Sequence, residues 1–199
     1  MEIISNWTDY GFLLITVDQS IPEFFQYVKY LLIIVLLIKI IHAAKRFQFI
    51  SWAFFFLILF VDDSIGIHEN AGIFLSEKFN FNSMFGLRAE DIGELLYTGL
   101  IGFIIIIAFV ASFLKGDKMF KRNSIDLSIL IFFFLLFGVG FDMLHQILSS
   151  SSKLNFLFGM IEDGGEMIMM SIILWYIYHL SLTYKKDRTV YLHTALLNP

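Results

Sequence analysis

Five apolar runs, at residues 24–43, 47–61, 95–114, 127–141 and 167–184, constrain this chain more than any other feature. A helix of about 20 apolar residues matches the hydrocarbon thickness of a bilayer. Lipid offers no water to backbone N–H and C=O groups, so such a run must satisfy them internally, and the helix does so. The runs therefore predict an all-α polytopic membrane protein with about five transmembrane helices. The runs at 47–61 and 127–141 are short for a crossing. They reach full length only when the polar residues that follow are counted into the helix.

Composition points the same way. The chain of 199 residues is 58% hydrophobic and 16% charged, against about 25% charged residues in a soluble domain. Two prolines and no low-complexity tract argue against disorder. With no cysteine, disulfides, thiolate metal sites and cysteine nucleophiles are excluded, and the redox compartment stays open. A net charge of −4 without a basic stripe gives no nucleic-acid partner. No P-loop, nucleophile elbow or HExxH is present. The amino-terminal region lacks the basic-then-apolar pattern of a cleaved signal. Residues 1–23, with Trp7, Tyr10 and GFLLITV, read as an interfacial segment. One membrane domain is expected to follow, with span one at 24–43, a helical hairpin over 47–114, a second over 122–184, and a tail at 185–199. The four helices of the two hairpins are expected to form a bundle.

Basic residues set a direction. Lys45 and Arg46, then Lys115, Lys118, Lys121 and Arg122, then Lys185, Lys186 and Arg188 fall on one side, and only Lys78, Arg88 and Lys153 lie in the connections of the other. The positive-inside rule puts the carboxy terminus in the cytoplasm and the amino terminus outside.

The two hairpins repeat a pattern. FVDDSIGIHEN closes the outgoing helix of the first and FGLRAEDIGELLY opens its return, while GFDMLHQ closes and FGMIEDGGEMIM opens the second. At about 1.5 Å rise per residue, Asp62 lies about 24 Å from Arg46, Asp142 about 30 Å from Arg122, Glu94 about 31 Å from Lys115 and Glu166 about 28 Å from Lys185. Four helices thus bring carboxylates to one layer near the outer face. More than half of the 18 acids of the chain sit there, with Arg88 as the one cationic side chain in these motifs.

Carboxylates at the edge of hydrocarbon need water, protons or cations. Glu90 and Glu94 share a helix face, as do Glu162 and Glu166, Asp142 and His145, and Asp62 and Glu69. With His68 and His145 the layer offers hard oxygen and imidazole donors, a set for divalent iron, manganese or zinc rather than copper(I). The expected metal ligands are Asp62, His68, Glu69, Glu90, Glu94, Asp142, His145, Glu162 and Glu166. Asp63, Asp91 and Asp163 are candidates for a proton relay. Asp91 and Asp163 point about 100° away from Glu90 and Glu162, and read equally well as acids favouring a positive helix end. His42 and His179 read as interfacial histidines rather than a haem pair. Met167, Met169 and Met170 read as packing residues, and Gly93, Gly164 and Gly165 as points of close helix approach.

Acids on two helices with an acid-x-x-His element, DMLH, resemble the ferritin-like carboxylate-bridged di-metal four-helix bundles. The resemblance implies Asp142 as a bridging carboxylate and Glu94 and Glu166 as single-carboxylate ligands. In the first hairpin Ile65 stands three before His68, which leaves His68, Asp62, Asp63 and Glu69 as alternatives for the fourth corner. The function expected is a membrane metalloprotein with a two-metal carboxylate/histidine centre near the outer face. It would be an oxidoreductase or hydrolase acting on a lipid or other apolar substrate. A cation or proton transporter subunit, and a structural or assembly subunit working with other membrane subunits, are the rival readings.

Overall fold

A computed structural model of the protein describes residues 20–148 and 152–197, the side chains of 152–155 and 185–197 excepted. Most of the segment expected to be interfacial lies outside the described residues. Its last residues instead open the first helix, α1 (Ile21–Ala44). The Ser20 hydroxyl accepts the Glu23 N–H at 3.4 Å, Pro22 sits in the first turn, and Glu23 faces the positive helix end. Lys45, at φ 52°, stops α1, and a 3₁₀ turn at Phe47–Phe49 leads into α2 (Ile50–Ile65). Gly66 ends α2 at φ 62°, where its N–H bonds the Asp62 carbonyl. This left-handed cap turns the chain into α3 (Ile67–Phe79).

The return helix α4 (Ala89–Lys115) is followed by α5 (Lys118–Leu135), whose N-cap Asp117 accepts from the Phe120 N–H at 2.9 Å. A π-helical turn at Leu136–Phe141 joins α5 to α6 (Asp142–Leu148), and α7 (Ser152–Leu197) completes the described chain. Among the described residues, five helical stretches are long and apolar enough to cross a membrane: Ile21–Ala44, Phe47–Ile65, Ala89–Lys115, Lys118–Leu148 and Phe156–Tyr184. Each outruns its apolar core, so Asp62, Asp63, Glu90, Asp91, Glu94, Asp142, His145, Glu162, Asp163 and Glu166 all lie within helices.

The buried core comes from α1 (Tyr30, Ile33, Leu37), α2 (Trp52, Phe56), α5 (Leu127, Ile131, Phe134) and α7 (Met170, Ile173, Ile177). The first span is therefore central, packed between α2 and α7. The helix on the rim is α4, whose buried residues are Asp91 and Gly93 alone. It is held mainly by α3. One end of the bundle is basic: Arg46 pairs with Asp117 and lies 5.3 Å from the Tyr184 ring, and Phe49 meets Phe120 and Tyr184 edge-on. The acids gather at the other end.

Lipid does not drive helices together as water does, so close packing and small residues decide helix association. A Cβ on Gly93 would lie 2.9 Å from the Gly72 Cα and carbonyl carbon. At Gly99 of the same helix a Cβ would meet nothing within 4 Å. Gly93→Ala is expected to lower stability by about 1–3 kcal/mol, read as an earlier thermal unfolding midpoint in detergent. Gly99→Ala should instead be neutral or stabilise by up to about 1 kcal/mol.

Candidate metal centre

The acid end encloses a cavity of about 720 Å³. Its wall includes Asp62, Asp63, His68, Glu69, Glu94, Asp142, His145, Glu162, Asp163 and Glu166, so helices from both hairpins meet on one space. Glu90 and Asp91 stand off that wall.

The first cluster is built by the Gly66 turn. Because α2 stops there and α3 starts one residue later, His68 folds back until its Nδ1 lies 3.0 Å from Asp62 Oδ2. Asp62, Asp63 and His68 each offer a ligand atom within 4.8 Å of the others. Neighbouring helices hold the carboxylates in place: Tyr97 of α4 donates to Asp62 Oδ1 at 3.1 Å, and Tyr30 of α1 donates to Asp63 Oδ2 at 2.6 Å. The hydrogen bond to Asp62 raises the His68 pKa from 6.5 to about 9. Glu69 sits on the exposed rim beside Gly66.

The second cluster joins Asp142 and His145 of α6 to Glu162 of α7, again with ligand atoms within 4.8 Å of one another. His145 Nδ1 lies 3.2 Å from Glu162 Oε2. The π turn comes immediately before Asp142, the kind of helical irregularity found at working sites. Within it, Gly138 makes room for the Glu166 carboxylate, onto which any Cβ at that position would fall.

The repeated acidic motifs have different fates. In the second hairpin Glu162 faces His145. Its counterpart Glu90 points away, with its side chain 48% exposed and 3.7 Å from Arg88 Nη1. Asp91 is buried and committed to Arg88, accepting from its backbone N–H at 2.7 Å and from Nη2 at 2.6 Å. Together they close a capping box at the start of α4. The bond to Asp91 raises the Arg88 pKa further, so this cation serves a helix end. Glu94 and Glu166, equivalent in the repeat, both reach the cavity.

Sequence reading missed what α1 brings. Glu23, Gln26 and Tyr27 line the cavity, and Tyr27 donates to the Asp63 carbonyl oxygen at 3.2 Å and to Glu23. Gln26 lies beside the Tyr30 hydroxyl, but that hydroxyl is given to Asp63. Among the described residues the buried amide nitrogen and oxygen of Gln26 meet no partner of hydrogen-bond geometry. The signal was present: Glu23, Gln26, Tyr27 and Tyr30 recur at helical spacing inside an apolar run.

A second polar group lies near the basic end. Trp52 Nε1 donates to Ser124 Oγ at 3.0 Å, Asn123 to the Tyr184 hydroxyl at 3.2 Å, and Tyr176 to Asp126 Oδ2 at 3.0 Å. Ile33, Leu37, Phe56, Ile131, Met170 and Ile173 separate it from the cavity as a buried apolar layer. His42 and His179 are exposed, and His179 meets Trp175 edge-on with ring centroids 4.6 Å apart.

In metal-free protein the His68 imidazole is expected to titrate near pH 9 by NMR, and Asp62→Asn to return it toward 6.5, the ordinary value. The folded pKa is raised, so the stabilisation from this pair is full below about pH 6.5 and is lost as pH rises through about 9.

Residues 23–182 match the family model described as Domain of unknown function (DUF8692). No curated protein and no solved structure matches the chain. The likeness to ferritin-like proteins thus stays at the level of the DMLH element and the donor types.

Proposed function

The chain belongs to the DUF8692 family, a membership that assigns no activity, and we propose from the cavity itself that the protein is an integral membrane metalloprotein. In this reading one divalent cation sits on Asp62, Asp63 and His68, and a second on Asp142, His145 and Glu162. The observation that carries it is the pair of acid/histidine clusters, each with ligand atoms within 4.8 Å, on the wall of a single cavity. Glu94 and Glu166 face the same space and supply carboxylates to bridge or complete the coordination.

The donors fit hard or borderline cations, iron, manganese or zinc. Three protein ligands per ion leave positions for water or a bound molecule, as in working rather than closed structural sites. Such a centre supplies Lewis-acid activation of water or oxygen chemistry, in keeping with a membrane hydrolase or oxidoreductase. Tyr30 and Tyr97 orient Asp63 and Asp62 from behind, as outer-shell groups do in metal sites. Asp163, on the cavity wall next to Glu162, is the proton-relay group of this reading. The distribution of Lys and Arg favours an orientation with the cavity at the outer face.

Transport is the weaker reading, because the buried apolar layer between the cavity and the inner polar group leaves an ion no ligands midway. A purely structural clamp predicts that chelation unfolds the protein; a working centre predicts that the chelated protein stays folded.

Elemental analysis of purified protein tests the proposal. Wild type is expected to retain two cations per chain, Asp142→Asn with His145→Gln to lose one, and Asp62→Asn with His68→Gln to lose the other. Metal content that neither pair of substitutions changes would sink the assignment.

A further inference from the structure

The cavity wall includes residues of both α4 and α5. These two helices touch little, and α4 buries nothing beyond Gly93. Leu95 and Thr98 of α4 and Leu135 of α5 belong to the cavity wall. Farther along the same two helices an apolar groove of about 400 Å³ lies between Phe109 and Phe113 on one side and Ile125, Ile129 and Phe132 on the other. The α4 positions Leu95, Thr98, Gly102, Phe109 and Phe113 follow helical spacing, so they form one stripe. Gly102 is its gap: half-buried, yet a Cβ there would meet no atom within 4 Å. On that stripe Gly102 falls between the residues lining the cavity and those lining the groove.

What fills such a seam is set by its two ends. In a bilayer the groove takes hydrocarbon, and its lining offers a polar partner only at Ser128. The cavity end offers the cations proposed above. A molecule meeting both ends has one apolar chain and a small anionic oxygen head. Phe132 lies about 15 Å below Asp142, half of the roughly 30 Å hydrocarbon core. A chain with its head among the acids therefore ends beside Phe132 at the bilayer midplane.

We propose that the α4/α5 seam is the chain tract of a single-chain lipid with a carboxylate head, of the long-chain fatty acid kind, whose head enters the cavity. The inference rests on the cation reading, since only bound cations make so acidic a space attractive to an anion.

The test uses manganese-loaded protein in phosphatidylcholine vesicles and a long-chain fatty acid carrying a diazirine at its methyl end. After irradiation, mass spectrometry should find label on Phe109 and Phe132 about tenfold above that on the exposed Leu31 and Trp175. Gly102→Trp, which fills the gap, should lower that label about tenfold while the metal content stays at the wild-type level. Label spread evenly over the four positions overturns the tract as bulk lipid contact, as does label indifferent to Gly102→Trp. Equal labelling by a diazirine phosphatidylcholine overturns the single-chain assignment. Metal content keeps the two readings apart. Diffuse label on fully loaded protein removes the tract alone, whereas focused label on protein that retains no metal removes the cation reading and, with it, entry of the carboxylate head into the cavity.

Discussion

Negative charge placed in hydrocarbon has to be answered from within the protein, and nearly every local choice at the acid end of this bundle is such an answer. A carboxylate at the centre of a spanning helix costs about 2.5–3.5 kcal/mol on insertion scales. Here Arg88 answers Asp91, His68 and Tyr97 answer Asp62, Tyr30 answers Asp63, and His145 answers Glu162. These partners come from α1, α3, α4 and α6, so the bundle must assemble before the acids are satisfied. Glu94, Asp142 and Glu166 face the same cavity, with Arg88 the only guanidinium on its wall among the described residues. The surplus of acid over base is the physical ground for the cations proposed above.

The two hairpins show how one motif yields two environments. In the first, the Gly66 turn inserts α3, which lies against the start of α4 through Gly72 and Gly93. That contact occupies the flank of α4 on which Gly93 lies, and Glu90 and Asp91 pair with Arg88. In the second, the chain passes through a π turn instead, and the corresponding Glu162 meets His145. A repeat in sequence thus becomes a pair of similar but unequal clusters. The first is drawn from α2 and the start of α3 across the single-residue Gly66 turn. The second is drawn from helices on both sides of a connection.

Much of this was legible from residues. Apolar runs identified the helices, and arithmetic on helical rise brought Asp62, Glu94, Asp142 and Glu166 to one level, where they do line one cavity. Periodicity cannot report which way a helix is rotated, so Glu90 and Glu162, identical in motif, were indistinguishable until Arg88 and His145 were located. The central position of α1 was hidden for a related reason: its polar residues are few and look like interruptions in a lipid-facing helix. Only their spacing, Gln26 and Tyr30 four apart, marks a face turned inward. Gly102 and Gly138 could not be told from other helical glycines. One is defined by empty space and the other by a neighbouring carboxylate, and neither is a local property.

The dry layer formed by Ile33, Leu37, Phe56, Ile131, Met170 and Ile173 has an electrical consequence. A transmembrane voltage drops mainly across the least polarisable part of its path, and one elementary charge crossing 100 mV changes free energy by about 2.3 kcal/mol. With a polar cavity above the layer and a polar cluster below it, that drop is concentrated on a few turns of aliphatic and aromatic side chains. In the metalloprotein reading proposed above, cations among the carboxylates would therefore stay at the potential of the compartment onto which the cavity opens. Their occupancy would follow the concentration in that compartment, not the energised state of the membrane.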